Sequence, residues 1–243
     1  MLRPQRHAAE AHADTRHRSS PVGLGLDSAD VRRRMVERLR REGLGQSAVI
    51  AAFVKVPRHA FVDAALATQA YEDTSLPIGH GQTISKPSVI GRMLELLHDG
   101  GNARRDGHLG NCLEIGTGCG YQAALLSELA RHVVSIERLQ ALHEKASRLL
   151  APWRNSRLRL VYGDGMLGHA PRAPYDSIIA AAGGSELPAA WLEQLAVGGR
   201  LVSPLQQADG RQVLVSVDRS EHGLSRTVHE AVRFVPLKSG LAR

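Results

Sequence analysis

Apolar positions near the start of the chain recur at helical spacing. Val31, Met35 and Leu39 follow one another every four residues, and arginines occupy most of the positions between them. This stripe predicts an amphipathic helix that ends at the glycines after residue 42. A second helical run covers residues 46–56 and stops at Pro57. The two segments together predict a helical layer that packs on the main body of the protein.

Short apolar runs and helical segments alternate from residue 109 onward. The apolar runs predict strands at residues 112–115, 133–136, 158–162, 177–182 and 201–204. The segments between them predict helices at residues 121–130, 139–150 and 188–196. Two more strands, at residues 213–217 and 232–235, follow without a helix between them. The alternation predicts an α/β fold with a parallel, doubly wound sheet, and the last two strands predict an antiparallel edge.

The pattern also divides the chain into regions. Residues 1–27 are rich in Arg, His, Ala and Ser and show no apolar stripe, so we expect a disordered polar and basic tail. We expect residues 28–243 to form a single domain. Within it, residues 28–98 supply the N-terminal helices and a loop, and residues 109–243 supply the α/β core.

A glycine-rich turn connects the first core strand to the first core helix. It begins with Glu114 and places glycine at 116, 118 and 120. Glycines there let the backbone approach a ligand closely, and ligands of such sheets bind beyond the carboxyl ends of the strands. A dinucleotide site requires Gly or Ala where this chain has Tyr121. An acidic residue two positions before GxGxG is instead typical of S-adenosylmethionine-dependent methyltransferases. Glu114 can offset the positive charge of that cofactor.

Two further acidic residues stand at the ends of the next two strands. Glu137 follows the first glycine of the turn by about twenty residues, and its carboxylate can accept hydrogen bonds from both ribose hydroxyls. Asp164, flanked by Gly163 and Gly165, can accept a hydrogen bond from the adenine amine. Because successive parallel strands end at one edge of a sheet, the three positions predict one nucleoside site.

Composition narrows the possible partners. The formal net charge of +7 and the pI of about 10.0 suit an anionic partner, whereas an aromatic content of 4% is low for a protein that stacks nucleic-acid bases. The two cysteines form no CxxC motif and predict a reducing compartment, which we take to be the cytoplasm. We expect no metal, since the histidines show no HExxH spacing. No apolar run is long enough to predict a membrane span.

A second motif lies upstream of the core. Residues 76–87 read LPIGHGQTISKP, a segment bounded by Gly and Pro that carries several small polar side chains. From the residues alone this segment is either a structural loop or a mobile binding loop.

Several segments together resemble one family, the protein-L-isoaspartate O-methyltransferases. The resemblance begins at VPRHAFV (residues 56–62), continues through AYED (70–73), GHGQTIS and the glycine turn, and ends at VRFVPL (232–237). It implies a Rossmann-like methyltransferase core. It also implies that Ser85 is the active-site residue and that Thr83 and Ile84 bind the substrate with it. The residues implied to bind the cofactor are Glu114, Gly116, Gly118, Gly120, Glu137, Arg138, Asp164 and Gly165.

The resemblance implies a specific activity. S-adenosyl-L-methionine would donate a methyl group to the free carboxylate of L-isoaspartyl, and also D-aspartyl, residues in damaged proteins and peptides. We expect a monomer with no nucleic-acid or membrane partner. Ala181 stands where the family often has threonine, and Gly183 and Gly184 follow it, so the resemblance does not define the details of the acceptor pocket. Three alternatives remain, namely a methyltransferase acting on RNA, a non-catalytic cofactor-binding protein, and a nicotinamide oxidoreductase.

Overall fold

The computed structural model describes residues 29–153 and 157–242, so the predicted tail lies outside the described residues. A seven-stranded sheet forms the centre. Its strands are β3 (Asn111–Ile115), β4 (His132–Glu137), β5 (Leu158–Tyr162), β6 (Tyr175–Ala180), β7 (Leu195–Gln206), β8 (Gln212–Ser220) and β9 (Gly223–Val232). They lie side by side in the order β5-β4-β3-β6-β7-β8-β9. A separate hairpin is formed by β1 (Leu76–Gly79) and β2 (Gln82–Ile84).

Helices cover both faces of the sheet. They are α1 (Ala29–Arg41), α2 (Ser47–Lys55), α3 (Pro87–His98), α4 (Gly101–Asp106), α5 (Tyr121–Leu129), α6 (Gln140–Leu149) and α7 (Ala189–Gln194). The predicted N-terminal layer is confirmed, since α1 packs on α2 and α3, and α2 packs on α5. The apolar stripe of α1 is buried through Met35, Val36 and Leu39. The buried side chains form one core cluster beneath these helices and a second on the other side of the sheet, around Tyr175 and Trp191.

Strand direction confirms the predicted sheet. The pairs β5–β4, β4–β3, β3–β6 and β6–β7 are parallel, and the pairs β7–β8 and β8–β9 are antiparallel. Strand order reverses between β3 and β6, because β4 and β5 extend to one side of β3 and β6 and β7 extend to the other. Ligands of open α/β sheets bind at such a reversal, beyond the carboxyl ends of the strands.

The structure corrects three sequence-based boundaries. The last strand occupies Gly223–Val232 instead of residues 232–235, which continue past the strand toward the carboxyl ends of the parallel strands. Helix α7 ends at Gln194 because the chain turns directly into β7 at Leu195. The segment predicted as a loop at residues 76–87 contains the β1–β2 hairpin, whose two-residue turn places both His80 and Gly81 at positive φ.

Candidate active site

A cleft of about 1080 Å³, partly open to solvent, lies at the strand reversal. Its walls are the β1–β2 hairpin with Ser85, the glycine turn after β3, the end of β4, and a segment at residues 235–238. The position matches the expected ligand site of this fold.

The glycine turn has the tight geometry that its sequence predicts. Gly118 lines the cleft at φ 55°, and a Cβ there would come within 3.2 Å of Ile78 on the hairpin. Gly120 lies behind the wall at φ 94°, and a Cβ there would approach Leu150 to 2.7 Å. Gly116 and Gly118 therefore shape the cleft surface, whereas Gly120 lets helix α5 begin close to the neighbouring chain.

Glu137 is the acidic residue whose carboxylate is best placed toward the cleft. It ends β4, is 5% exposed and lines the cavity. One carboxylate oxygen accepts a hydrogen bond from Gly118 N at 2.9 Å, and the other accepts one from Leu139 N at 2.9 Å. The side chain is thus fixed by backbone donors, and each oxygen keeps acceptor capacity for a further donor.

Glu114 lies beneath the glycine turn and does not line the cleft. It is fully buried, and the Ser135 hydroxyl donates a hydrogen bond to its carboxyl group. Ser135 is in turn 2.6 Å from the hydroxyl of Thr117, which lines the cleft. The pKa of Glu114 is raised to about 8, mainly because burial disfavours the charged form. The Ser135 and Gln122 side chains act to lower this pKa, and the negative charge of Glu137 raises it further. Without ligand, the group is therefore mostly neutral at pH 7.

Asp164 also stands apart from the cleft wall. Its side chain accepts a hydrogen bond from Met166 N at 2.9 Å and another from Gly240 N at 2.6 Å. Arg138, which does line the cleft, donates to the Gly240 carbonyl at 2.8 Å. Both side chains therefore hold the segment that contains Gly240, and Gly165 beside Asp164 forms part of the wall itself.

The second motif reaches the cleft from the opposite side. Thr83, Ile84 and Ser85 all line the cavity, although the Ile84 side chain is largely buried in the core. Ser85 lies between β2 and helix α3. Asp73 fixes the start of that helix, since its carboxylate accepts hydrogen bonds from the Ser88 backbone N–H at 2.8 Å and from the Ser88 hydroxyl at 2.7 Å.

The structure adds site residues that the sequence reasoning missed. Residues 235–238 form a cleft wall, and Leu237 N donates to the Gly183 carbonyl at 2.8 Å to hold that wall in place. The sequence signal for this wall was the VRFVPL segment, which resembles the family but to which the sequence analysis assigned no role in the site. Asp73 was likewise within a resembling segment. Ala181 lines the cleft, so the position that departs from the family belongs to the site.

Comparisons with known proteins agree with this geometry. The family model described as Protein-L-isoaspartate(D-aspartate) O-methyltransferase matches residues 30–242. The chain belongs to this family. A protein-L-isoaspartate O-methyltransferase of Methylibium petroleiphilum is 60% identical over 242 residues, covering 99% of this chain and 89% of that protein. One of Leptothrix cholodnii is 60% identical over 242 residues, covering 98% and 84%.

Solved structures of the protein-L-isoaspartate O-methyltransferase family share the fold. The structure of one protein-L-isoaspartate O-methyltransferase has a TM-score of 0.75 at 28% identity, covering 86% of this chain and 67% of that one. The structure of a Plasmodium falciparum protein in complex with S-adenosyl-L-homocysteine has a TM-score of 0.73 at 23% identity, covering 85% and 98%. The family, the enzyme class and the α/β methyltransferase fold predicted from the sequence are confirmed.

Proposed function

We propose that this cleft transfers a methyl group from S-adenosyl-L-methionine to the free carboxylate of isoaspartyl residues in damaged proteins and peptides. The observation that carries the proposal is the meeting of two motifs on one cleft, the Ser85 loop on one side and the glycine turn with Glu137 on the other. Family membership, with relatives 60% identical over nearly the whole chain, supports the same activity.

The residues present fit the cofactor. When bound, S-adenosylmethionine supplies an electrophilic methyl group on a sulfonium cation. Each Glu137 oxygen already accepts one backbone N–H and can accept one ribose hydroxyl, which matches a vicinal diol. Gly116, Gly118 and Gly165 would let the ligand lie close to the backbone. Arg138 would act indirectly by holding the wall, and we keep Glu114, Gly120 and Asp164 as proposed supporting residues behind the surface.

The acceptor needs no general base in this proposal. A free α-carboxylate has a reference pKa near 3.5, so it is ionised at neutral pH and already nucleophilic. The protein therefore has to orient one carboxylate oxygen and limit the access of water. The Ser85 hydroxyl can donate a hydrogen bond to the other oxygen, with Thr83 and Ile84 forming the adjoining surface.

Orientation requires that Ser85 itself be held in place. The hairpin fixes the chain before it through the pairing of Leu76 with Ile84. The two hydrogen bonds from Ser88 to Asp73 fix the chain three residues after it. Ser85 thus lies between two anchored positions, as a group that orients a nucleophile requires.

The product leaves the rest of the repair to spontaneous chemistry. Methoxide is a better leaving group than the oxide of a carboxylate, so the neighbouring backbone nitrogen attacks the ester carbonyl carbon. The C–N bond forms, the C–O bond to the methoxy group breaks, and methanol leaves with the proton lost by nitrogen, which gives a succinimide. Hydrolysis of the succinimide returns part of the material to normal aspartate, and the remaining isoaspartate re-enters the cycle.

The test is methyl transfer from labelled cofactor to an isoaspartyl peptide and to the peptide of the same sequence with normal aspartate. We expect label in the isoaspartyl peptide and background in the aspartyl one. Folded RNA serves as the third substrate, and we expect it to remain unlabelled. Equal labelling of both peptides, or labelling of RNA alone, would contradict the proposal.

Location and assembly are also proposals. The described cysteines, Cys112 and Cys119, are free and buried, which suits a reducing cytoplasm. Among the described helices, none has the length and apolar character to cross a bilayer. We propose a monomer that meets its protein substrates in the cytoplasm. Gel filtration combined with light scattering tests the monomeric state.

A further inference from the structure

Lys238 stands on the cleft wall at a place where the backbone is held on both sides. Before it, Leu237 N donates to the Gly183 carbonyl at 2.8 Å. After it, Gly240 N donates to the Asp164 carboxylate at 2.6 Å, and Arg138 donates to the Gly240 carbonyl. The Lys238 backbone is therefore fixed, and the reach of its side chain is confined to the surroundings of the cleft.

The Lys238 ammonium is free to bind a ligand. The residue is exposed and lines the cleft, and it makes no hydrogen bond or ion pair with any residue that the structure describes. The other permanent charges on the wall are engaged, since Glu137 accepts two backbone N–H groups and Arg138 donates to backbone carbonyls. Lys238 thus presents an unpaired positive charge to whatever polypeptide enters.

The charge of the reaction decides which carboxylate suits this lysine. The acceptor carboxylate loses its negative charge as the ester forms. An ammonium paired directly with it would lose that attraction as the charge disappears, so it would stabilise the ground state more than the transition state and slow the reaction. The neutral Ser85 hydroxyl differs, because it keeps a hydrogen bond to the oxygen that becomes the ester carbonyl. An acidic side chain elsewhere on the substrate keeps its charge throughout, so binding it helps capture without such a cost.

We propose that Lys238 is a specificity-determining residue that binds an acidic side chain flanking the isoaspartyl residue of the substrate. The proposal rests on the function proposed above and deepens it. It assigns a preferred class of substrate, acidic sequences around the damaged site. The contact is an exposed ion pair, so we expect it to lower the KM by about two- to five-fold relative to an uncharged substrate.

The experiment uses three isoaspartyl peptides of otherwise identical sequence. One carries glutamate directly before the isoaspartyl residue, one carries it directly after, and the third carries glutamine at both positions. The KM of each peptide is measured with the wild-type enzyme and with Lys238→Gln, Lys238→Glu and Lys55→Gln. Lys55 is the matched control, because it is an exposed lysine that pairs with Glu128 near the end of α5 remote from the cleft.

The wild-type enzyme and Lys55→Gln should both favour at least one glutamate peptide in KM. The preference should disappear in Lys238→Gln, reverse in Lys238→Glu, and weaken at high salt. A wild-type preference that survives in Lys238→Gln, or no preference for either glutamate peptide, would overturn the assignment. Failure of the proposed function is distinguishable, since none of the three peptides would then be methylated by any variant.

Discussion

The buried carboxyl group of Glu114 makes the stability of this protein depend on pH. Burial raises the pKa of Glu114 from an ordinary value of 4.5 to about 8. Between these two values, the folded protein holds a proton that the unfolded chain releases, so stability must fall as pH rises. The interval corresponds to roughly 5 kcal/mol at about 1.36 kcal/mol per pH unit. That is a large fraction of the roughly 5–15 kcal/mol that stabilises a typical domain.

The substitution Glu114→Gln isolates this contribution, because glutamine has a similar shape and does not titrate. We expect the contribution of Glu114 to be fully present below pH 4.5 and lost as pH passes through about 8. The free energy of unfolding of Glu114→Gln, relative to wild type, should therefore rise by about 4 kcal/mol between pH 5 and pH 8. Urea unfolding of both cofactor-free proteins across that range measures the difference. Glu221→Gln, at an exposed position, is the control for the loss of a carboxylate.

Parallel pH profiles for the wild type and Glu114→Gln would refute this reasoning. They would mean that Glu114 is ionised in the folded protein at neutral pH, and that its charge is available to the cofactor as the sequence motif predicts. Measuring cofactor affinity of Glu114→Gln beside its stability separates these two roles.

Three substitutions test the cleft. Ser85→Ala should lower the rate with isoaspartyl peptide by about ten- to 150-fold and leave cofactor affinity intact. This loss is equivalent to roughly 1.5–3 kcal/mol, the value of one hydrogen bond to a charged group. An unchanged rate in a peptide assay would mean that the loop has only a structural role. Glu137→Ala should weaken cofactor binding by roughly 1.5–3 kcal/mol in calorimetry, and equal affinity would remove Glu137 from the site. Gly165→Ala would place a Cβ 2.6 Å from Ile115, so we expect lower thermal stability and weaker cofactor binding; wild-type behaviour in both measurements would contradict the close approach.

The parts of the site that follow strand ends were predictable from the sequence. The glycine turn follows β3, and Glu137 ends β4. Because these strands are parallel, their carboxyl ends lie at the same edge of the sheet, independently of the conformation of the loops. Whether each acidic side chain is buried beneath the turn or faces the cleft was not predictable from the sequence. Glu114 and Glu137 are both acidic residues near strand ends, yet one is beneath the turn and the other faces the cleft.

The missed elements depend on tertiary contacts or lack an apolar pattern. Strand β9 is almost wholly exposed, so its sequence shows no continuous apolar run to mark it. The β1–β2 turn uses His80 at positive φ, where the usual hairpin signals contain Asn-Gly or Asp-Gly. The wall at residues 235–238 exists because Gly183 pairs with that segment across more than fifty residues of sequence, a contact that no local pattern encodes.

The distribution of the cleft walls along the chain links ligand binding to folding. The cleft is built from the hairpin near residue 80, the glycine turn near residue 118 and the wall near residue 236. It therefore exists only when these distant parts of the chain are folded together. A ligand that binds this cleft therefore stabilises the entire fold, by about 2.7 kcal/mol at a hundred times its Kd. Such long-range closure also favours slow folding. The concentration of cofactor around the enzyme thus affects the fraction of molecules that is folded, as well as how fast the enzyme works.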